Sequence, residues 1–418
     1  MNIKFNLYLA LFFIHSICFA QVQHEVAPPD YIKTITFKGN TDISVLPIID
    51  LGESLQLEFD ALNGNEDDFY YSIEYFNYDW TPTTLMRSEY IDGFDKQRIT
   101  NYDNSFNTYQ IYSHYTLAIP NEQVRSLKVS GNYMIKVYDE SDQLLFSRKF
   151  MVNEGGASVG VSMKLSRDVK FLNEKQTVDI IINSNNIQFN NPLERVKTTI
   201  IQNNNLNSAI KNVKPMYTMG QDLIYRYNKE TTFWGGNEYY YFENKDIRSA
   251  NSGINFIDLH DLYNSYLYTN TPQRNKPYTY NPDINGNFVI NNIDATDPNI
   301  EADYAWIHFS LKLNPLPSEK SIHVYGNFNN YTIEERTKMI YNPEKGIYEC
   351  PILLKQGFYN YKYVTVENQT GIVNEGEISG NYYQTENDYK VIVYYRDLGG
   401  RYDKIVGVGE ASSINISN

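Results

Sequence analysis

Gly156-Ala157-Ser158-Val159-Gly160 has the G-x-S-x-G spacing of a hydrolase nucleophile elbow. That spacing works where a sharp strand-to-helix turn lifts the serine toward a histidine and an acid. No helical pattern follows Gly160, and the paired glycines 155 and 156 suit a linker. The six histidines form no H-x-x-x-H spacing, and no C-x-x-C pair occurs. Asp258, His260 and Asp261 crowd one segment, but neither strand nor helix geometry would turn all three toward one ion. The acidic runs NGNEDD (63–68) and DATDPNIEAD (294–303) lack the D-x-[DN]-x-[DN]-G calcium spacing and read as solvated turns. Paired carboxylates for glycoside hydrolysis are defined by distance in space, and nothing in the sequence selects a pair. The expectation is a chain that is not an enzyme, with no catalytic residue, no metal and no cofactor.

The elements that carry these side chains read as strands. Leu55, Leu57 and Phe59 alternate with Gln56, Glu58 and Asp60, so the first set should be buried and the second wetted. The same period recurs in Tyr115, Leu117 and Ile119, in Val178, Ile180 and Ile182, in Ile307, Phe309, Leu311 and Leu313, and in Val391, Val393 and Tyr395. Turn residues punctuate the strands, and Asn285-Gly286 favours a tight hairpin. Amphipathic helices are scarce. The pattern predicts an all-β protein of tandem immunoglobulin/fibronectin-like β-sandwich domains.

A lysine at position 4, an apolar stretch to residue 19 and Ala20 make residues 1–20 an expected export signal. A lipoprotein signal at Cys18 is disfavoured by the bulky Ile17 before it. Loss of Lys4 with that segment takes the formal net charge from −14 to −15. Acidity on this scale argues against nucleic acid and against anionic lipid. Cys350 would be the remaining cysteine, which leaves no internal disulfide. No later apolar run suits a transmembrane helix, and the strands are too irregular for an outer-membrane barrel, so direct membrane insertion is not expected. Three units are expected after the signal: 21–154, an N-terminal sandwich with Tyr133 placed like the tyrosine of an F strand; 155–303, β-rich with long polar loops; and 304–418, a C-terminal sandwich with a frayed tail. The polar stretch 264–287 is too poor in aliphatics for core and reads as an exposed functional loop or a loose insertion.

Residues 320–366, through VYGNFNNY and GIYECPILLKQGFYNYKYV, resemble the early-set β-sandwich of glycogen-binding type. In that family a similar turn ends in a sugar-stacking tryptophan; here Tyr331 takes its place, and VTVENQTG lacks the usual Asp-Gly turn. The resemblance implies a glycan-binding alternative centred on Tyr331. A tyrosine there would serve equally well to close a core.

A broader resemblance covers most of the chain. LPIIDLGESLQLEFDAL, NYDWTPTTLMRSEYIDGF, SFNTYQIYSHYTLAIPNE, SGNYMIKVY, FWGGNEYYYF and DYKVIVYYRDLGGRYD occur in this order. Together they resemble the plug protein family of the Bacteroidetes type IX secretion system. The resemblance implies a periplasmic subunit, peripherally associated with the outer membrane, that seals the large outer-membrane β-barrel translocon by occupying its periplasmic end. Asn77, Asp79, Trp80, Tyr90, Asp92 and Phe94, with Gly93 between the last two, are its candidate partner-binding residues. Trp80 would serve equally as core, and Asp79 as a turn residue bonding backbone N–H groups. The Gly235-Gly236-Asn237-Glu238 turn is open to the same two roles.

Overall fold

The computed structural model describes residues 21–39, 46–184, 186–414 and 416. The expected export signal, 1–20, lies outside the described residues. The chain is all-β, and its strands assemble into three sandwiches.

The N-terminal sandwich faces a four-stranded sheet (Ile32–Gly39, Leu55–Ala61, Ser113–Ile119, Asn101–Asn104) against one end of a nine-stranded sheet. That end contains Tyr70–Phe76, Gly131–Tyr138 and Leu144–Asn153. Leu55, Leu57, Phe59, Tyr115 and Ile119 enter the core, as alternation requires. Phe59 stacks on Tyr115 with ring centroids 5.2 Å apart. Tyr133 is buried, and its hydroxyl donates to Val129 O at 2.7 Å, a local tie of the kind expected of an F-strand tyrosine.

The middle sandwich packs Ser158–Leu165, Lys175–Asn183, Tyr217–Met219, Asp222–Tyr225 and Thr232–Trp234 against the other end of the nine-stranded sheet. That end runs Asn205–Val213, Val196–Gln202, Asp388–Tyr395, Lys404–Ser412. Its two halves meet through one parallel pairing, Asn153 with Ile405. Trp80, Met134, Met151, Ile392 and Tyr394 pack together across this junction. Consequently Val391 and Ile392 are both buried although they point to opposite faces.

The C-terminal sandwich consists of two five-stranded sheets. One holds Gly357–Glu367 beside Tyr240–Glu243, Phe288–Ile290, Lys320–Tyr325 and Val373–Asn374. The other runs Ile254–Leu259, Tyr263–Leu267, Tyr304–Leu311, Ile347–Lys355, Ile340–Asn342.

The expected unit boundaries need correction. Residues 240–290 belong with the C-terminal sandwich, where Tyr263–Leu267 pairs in parallel with Tyr304–Leu311. Residues 388–412 return to the middle sandwich, where Asp388–Tyr395 pairs with Val196–Gln202. Strand pairing over these separations follows the partner surface and not chain order.

Candidate functional site

The motif 77–94 divides sharply between scaffold and surface. Asn77 and Asp79 build a turn: Thr81 N–H donates to Asp79 Oδ1 at 3.2 Å, and Asn77 Nδ2 donates to Thr81 Oγ1 and Pro82 O at 3.0 Å. Arg396 Nη2 donates to Asn77 Oδ1 at 3.0 Å, tying the turn to the end of the Asp388–Tyr395 strand. Trp80 is only 2% exposed, with Lys149 Nζ 4.4 Å from its ring centre. Tyr90 is buried against Tyr75 and Tyr133. Burial takes Trp80 and Tyr90 away from any partner, which corrects their candidate role, while Asn77 and Asp79 are half-buried turn residues. Trp80 is buried over the sheet junction, and Tyr90 in the core of the N-terminal sandwich.

Asp92 and Phe94 do reach the surface. Asp92 accepts from Arg125 Nη2 at 2.7 Å on the Ile91–Gly93 and Val124–Leu127 ribbon. Phe94 is 67% exposed and Met86 73%. Arg87 Nη1 donates to Gly93 O at 2.6 Å, and its Nη2 bonds Phe94 O. Gly93 has φ +156°, and a Cβ there would lie 2.3 Å from Gln123 O, so the ribbon requires glycine.

A second motif lines a large cleft between the middle and C-terminal sandwiches. The cleft measures ≈ 1010 Å³ and includes Trp234, Gly236, Lys320, Lys362 and Glu375 in its walls. The turn is clamped from behind: Gly235 N–H donates to Glu174 O at 2.8 Å, and Tyr382 N–H donates to Gly236 O at 2.8 Å. Lys175 Nζ stands 4.1 Å from the Trp234 ring centre, leaving the indole half-exposed at the rim. Lys320 is paired with Glu377, whose two oxygens each lie 2.9 Å away. Lys362 differs. Its side chain is 3% exposed, its nearest carboxylate is Glu375 Oε2 at 3.9 Å, and its Nζ lies 3.9 Å from the Tyr239 ring centre. Glu238, on the same turn, is pushed up to about 7, by burial first, against the hydrogen bond from Tyr278.

Sequence reasoning missed Lys362. Its only signal was a lysine inside the tyrosine-rich run QGFYNYKYV, where both strand faces are now seen to be buried. Another missed cluster joins the N- and C-terminal sandwiches. Asp60, expected on a wetted face, is fully buried. Lys355 Nζ and Tyr304 Oη each donate to Asp60 Oδ2 at 2.6 Å, and His114 Nδ1 lies 2.7 Å from Oδ1. Burial raises the Asp60 carboxyl, but the Lys355 charge and the hydrogen bonds outweigh it, so its pKa falls below the ordinary value.

Tyr331 offers no sugar platform in this fold, which corrects the glycan-binding alternative at that residue. It is 3% exposed, and its hydroxyl lies 3.2 Å from Asn203 O and 3.3 Å from Asn285 O, bracketing two sandwiches. The stretch 264–287 is largely exposed between 268 and 282, as read, but it is pinned and not loose: Tyr382 Oη lies 2.7 Å from Lys276 O, and Tyr278 bonds Glu238. Ser158 opens a strand paired with Lys175–Asn183, so G-x-S-x-G is not followed by a helix. His260 Nε2 lies 3.1 Å from Asp258 Oδ2 at the exposed end of the Ile254–Leu259 strand. Among the described residues, no group of three or more histidines, cysteines or acids is placed to hold a metal. No helix among them is long and apolar enough to cross a membrane.

Three joined β-sandwiches define a class of multi-domain all-β protein, and comparison with known proteins places the chain more closely. A family profile described as "Type 9 secretion system plug protein 1st domain" matches residues 32–154. A hypothetical protein from Parabacteroides merdae, solved by crystallography, is 35% identical, with a TM-score of 0.89 over 94% of this chain and 100% of that chain. A Salmonella alpha-2-macroglobulin mutant aligns at 10% identity over 92% of this chain and 24% of that one, with a TM-score of 0.12 that carries no argument. No curated protein matches. The N-terminal sandwich is thus a first domain of the type 9 secretion system plug protein family, which associates the chain with that secretion system.

Proposed function

We propose that this chain sits in the periplasm at the inner end of the system's outer-membrane β-barrel translocon and closes its pore by steric occlusion while no cargo moves. The observation that carries this reading is the family match over the N-terminal sandwich. The physical requirement is a body that does not deform under the openings of a wide pore. Ties between the sandwiches fit that requirement: Asp60 to Lys355, Tyr75 Oη to Asp403 O at 2.8 Å, and Tyr331 between Asn203 and Asn285. The role needs no chemistry, and the chain acts as a stopper and not as an enzyme.

Met86, Asp92 and Phe94 form the exposed edge of the 77–94 motif and are the contact we assign to the barrel. Exposed aromatics at the centre of a contact carry much of its energy. The test is affinity isolation from solubilised outer membrane with the intact chain, together with solute uptake by a deletion strain. Co-isolation of a large barrel protein and a leaky deletion strain are expected. Isolation of an intact translocon without this chain, or unchanged permeability, overturns the reading. Phe94→Asp should reduce barrel recovery at least about tenfold while shifting stability by no more than about 0.5 kcal/mol.

A further inference from the structure

The cleft between the middle and C-terminal sandwiches holds an ammonium, Lys362, that is ion-paired at 3.9 Å with Glu375 but makes no hydrogen bond. An ammonium carries three N–H donors. Lys362 uses none of them in a hydrogen bond among the described residues, because Glu375 at 3.9 Å is out of hydrogen-bonding reach. Its three donors are therefore available to water or to an acceptor that enters the cleft, and an ionised acceptor there gains a charge-assisted hydrogen bond. The Tyr239 ring, 3.9 Å from Nζ, holds the charge in place and supplies no lone-pair acceptor. The open side of Lys362 is the cleft itself.

The walls indicate what could fill it. Asn205–Val213 is the terminal strand of the nine-stranded sheet, paired on one side only with Val196–Gln202. Its residues Asn205, Ser208 and Ile210 line the cleft, so an open strand edge borders the same space as the ammonium. Edges of this kind accept a further extended strand through main-chain hydrogen bonds. The half-exposed Trp234 gives the rim an apolar surface for an alternate side chain. Gly236 keeps the ammonium uncovered: its φ is +65°, and a Cβ there would sit 3.2 Å from Lys362 Nζ.

We propose that this cleft binds an extended peptide segment of a partner protein, with a carboxylate of that segment held by Lys362. The peptide main chain lies along Asn205–Val213, and an apolar side chain next to the carboxylate rests on Trp234. The site shares no lining residue with the 91–94 ribbon that carries Phe94, and the proposal does not rest on the barrel reading.

The test uses the full chain and two blocked pentapeptides, acetyl-Thr-Val-Asp-Val-Thr-amide and its Asn counterpart. Binding is followed by tryptophan emission, and the bound region by amide hydrogen exchange. The Asp peptide is expected to bind at least about tenfold more tightly than the Asn peptide, the worth of one charge-assisted hydrogen bond. Exchange should slow in 205–213 and 372–381. Lys362→Met should abolish the difference between the peptides, and Gly236→Ala, which retains the lysine but covers it, should weaken the Asp peptide. Equal affinity for the two peptides, protection elsewhere, or no binding at millimolar peptide overturns the proposal. So does binding of an oligogalacturonate, an acidic glycan, in place of the peptides. If Lys362→Met does not fold, the Asp/Asn comparison on the unmodified chain and its exchange map decide alone. Failure to recover a barrel in the isolation experiment would leave these results unchanged.

Discussion

Lys355 and Lys362 lie seven residues apart, on successive strands of the C-terminal sandwich, and have opposite surroundings. Both side chains are nearly inaccessible, 1% and 3% exposed. Lys355 donates to Asp60 Oδ2 and to Asn299 O, each at 2.6 Å, and stands 4.1 Å from the Tyr112 ring centre. Lys362 has a comparable ring, Tyr239, but its carboxylate is 1.3 Å farther away than that of Lys355, at 3.9 against 2.6 Å. Burying an ammonium is unfavourable in both places. At Lys355 the loss is offset inside the molecule, and the residue serves cohesion between sandwiches. At Lys362 the chain supplies a ring and an ion pair at 3.9 Å but no hydrogen bond, and the donors are left to whatever fills the cleft.

The largest test of this contrast removes the satisfied lysine. Lys355→Met leaves Asp60 buried with its charge and only His114 and Tyr304 beside it. The N-terminal and C-terminal sandwiches should lose about 3–5 kcal/mol of stability, read from guanidinium unfolding. The double variant Asp60→Leu/Lys355→Met removes both charges and should recover most of that loss. A single-variant loss below about 1 kcal/mol would show that Lys355 is not a cohesion residue and would dissolve the comparison.

Asp60 also shows where the sequence ran out. Alternation correctly buried Leu55, Leu57 and Phe59 and put Gln56 in water, yet it assigned Asp60 to the wetted face as well. The far end of that face is covered by the C-terminal sandwich through Tyr304 and Lys355, and a period of two does not record what lies opposite. The same limit explains the misplaced boundaries. The strands at 254–267 and 388–395 read clearly as strands, but nothing in their pattern names 304–311 or 196–202 as partners. Tyr331 and Trp80 are the side-chain version: an aromatic at a turn has one appearance in sequence, whether it meets a ligand or another sandwich. The ordered motifs gave the family, because they depend on residue identity and not on pairing. They did not distinguish Phe94, exposed, from Trp80, buried, within one motif.

A smaller effect comes from Glu238, on the 235–238 turn beside the Lys362 cleft. Glu238 titrates near 7 in the folded chain against an ordinary 4.5, with burial the chief cause. Its folded value is the higher one, so the folded state holds the proton more tightly between pH 4.5 and 7. Stability from this group is therefore greatest below about pH 4.5 and falls as pH rises to about 7. Glu238→Gln should flatten that part of the stability profile and leave the protein about 1 kcal/mol more stable at pH 8. A profile that keeps its slope in the variant would assign the pH dependence to groups other than Glu238.

The smallest expected effect is the sharpest, because it separates the two lysines directly. Lys362→Met deletes an ammonium that makes no hydrogen bond, so no acceptor is orphaned. What is lost is the contact with the Tyr239 face, about 0.5–2 kcal/mol. What is gained is relief from holding a charge out of water, which acts in the other direction. Methionine keeps the unbranched shape of the lysine stem and can fill the same channel. The two contributions should nearly cancel, and the unfolding midpoint should move by an amount equivalent to less than about 1 kcal/mol. Glu375 loses only a distant partner and keeps access to water from its half-buried position. A loss as large as that of Lys355→Met would mean that Lys362 already has its partner within the fold, and the reason for seeking one in the cleft would disappear.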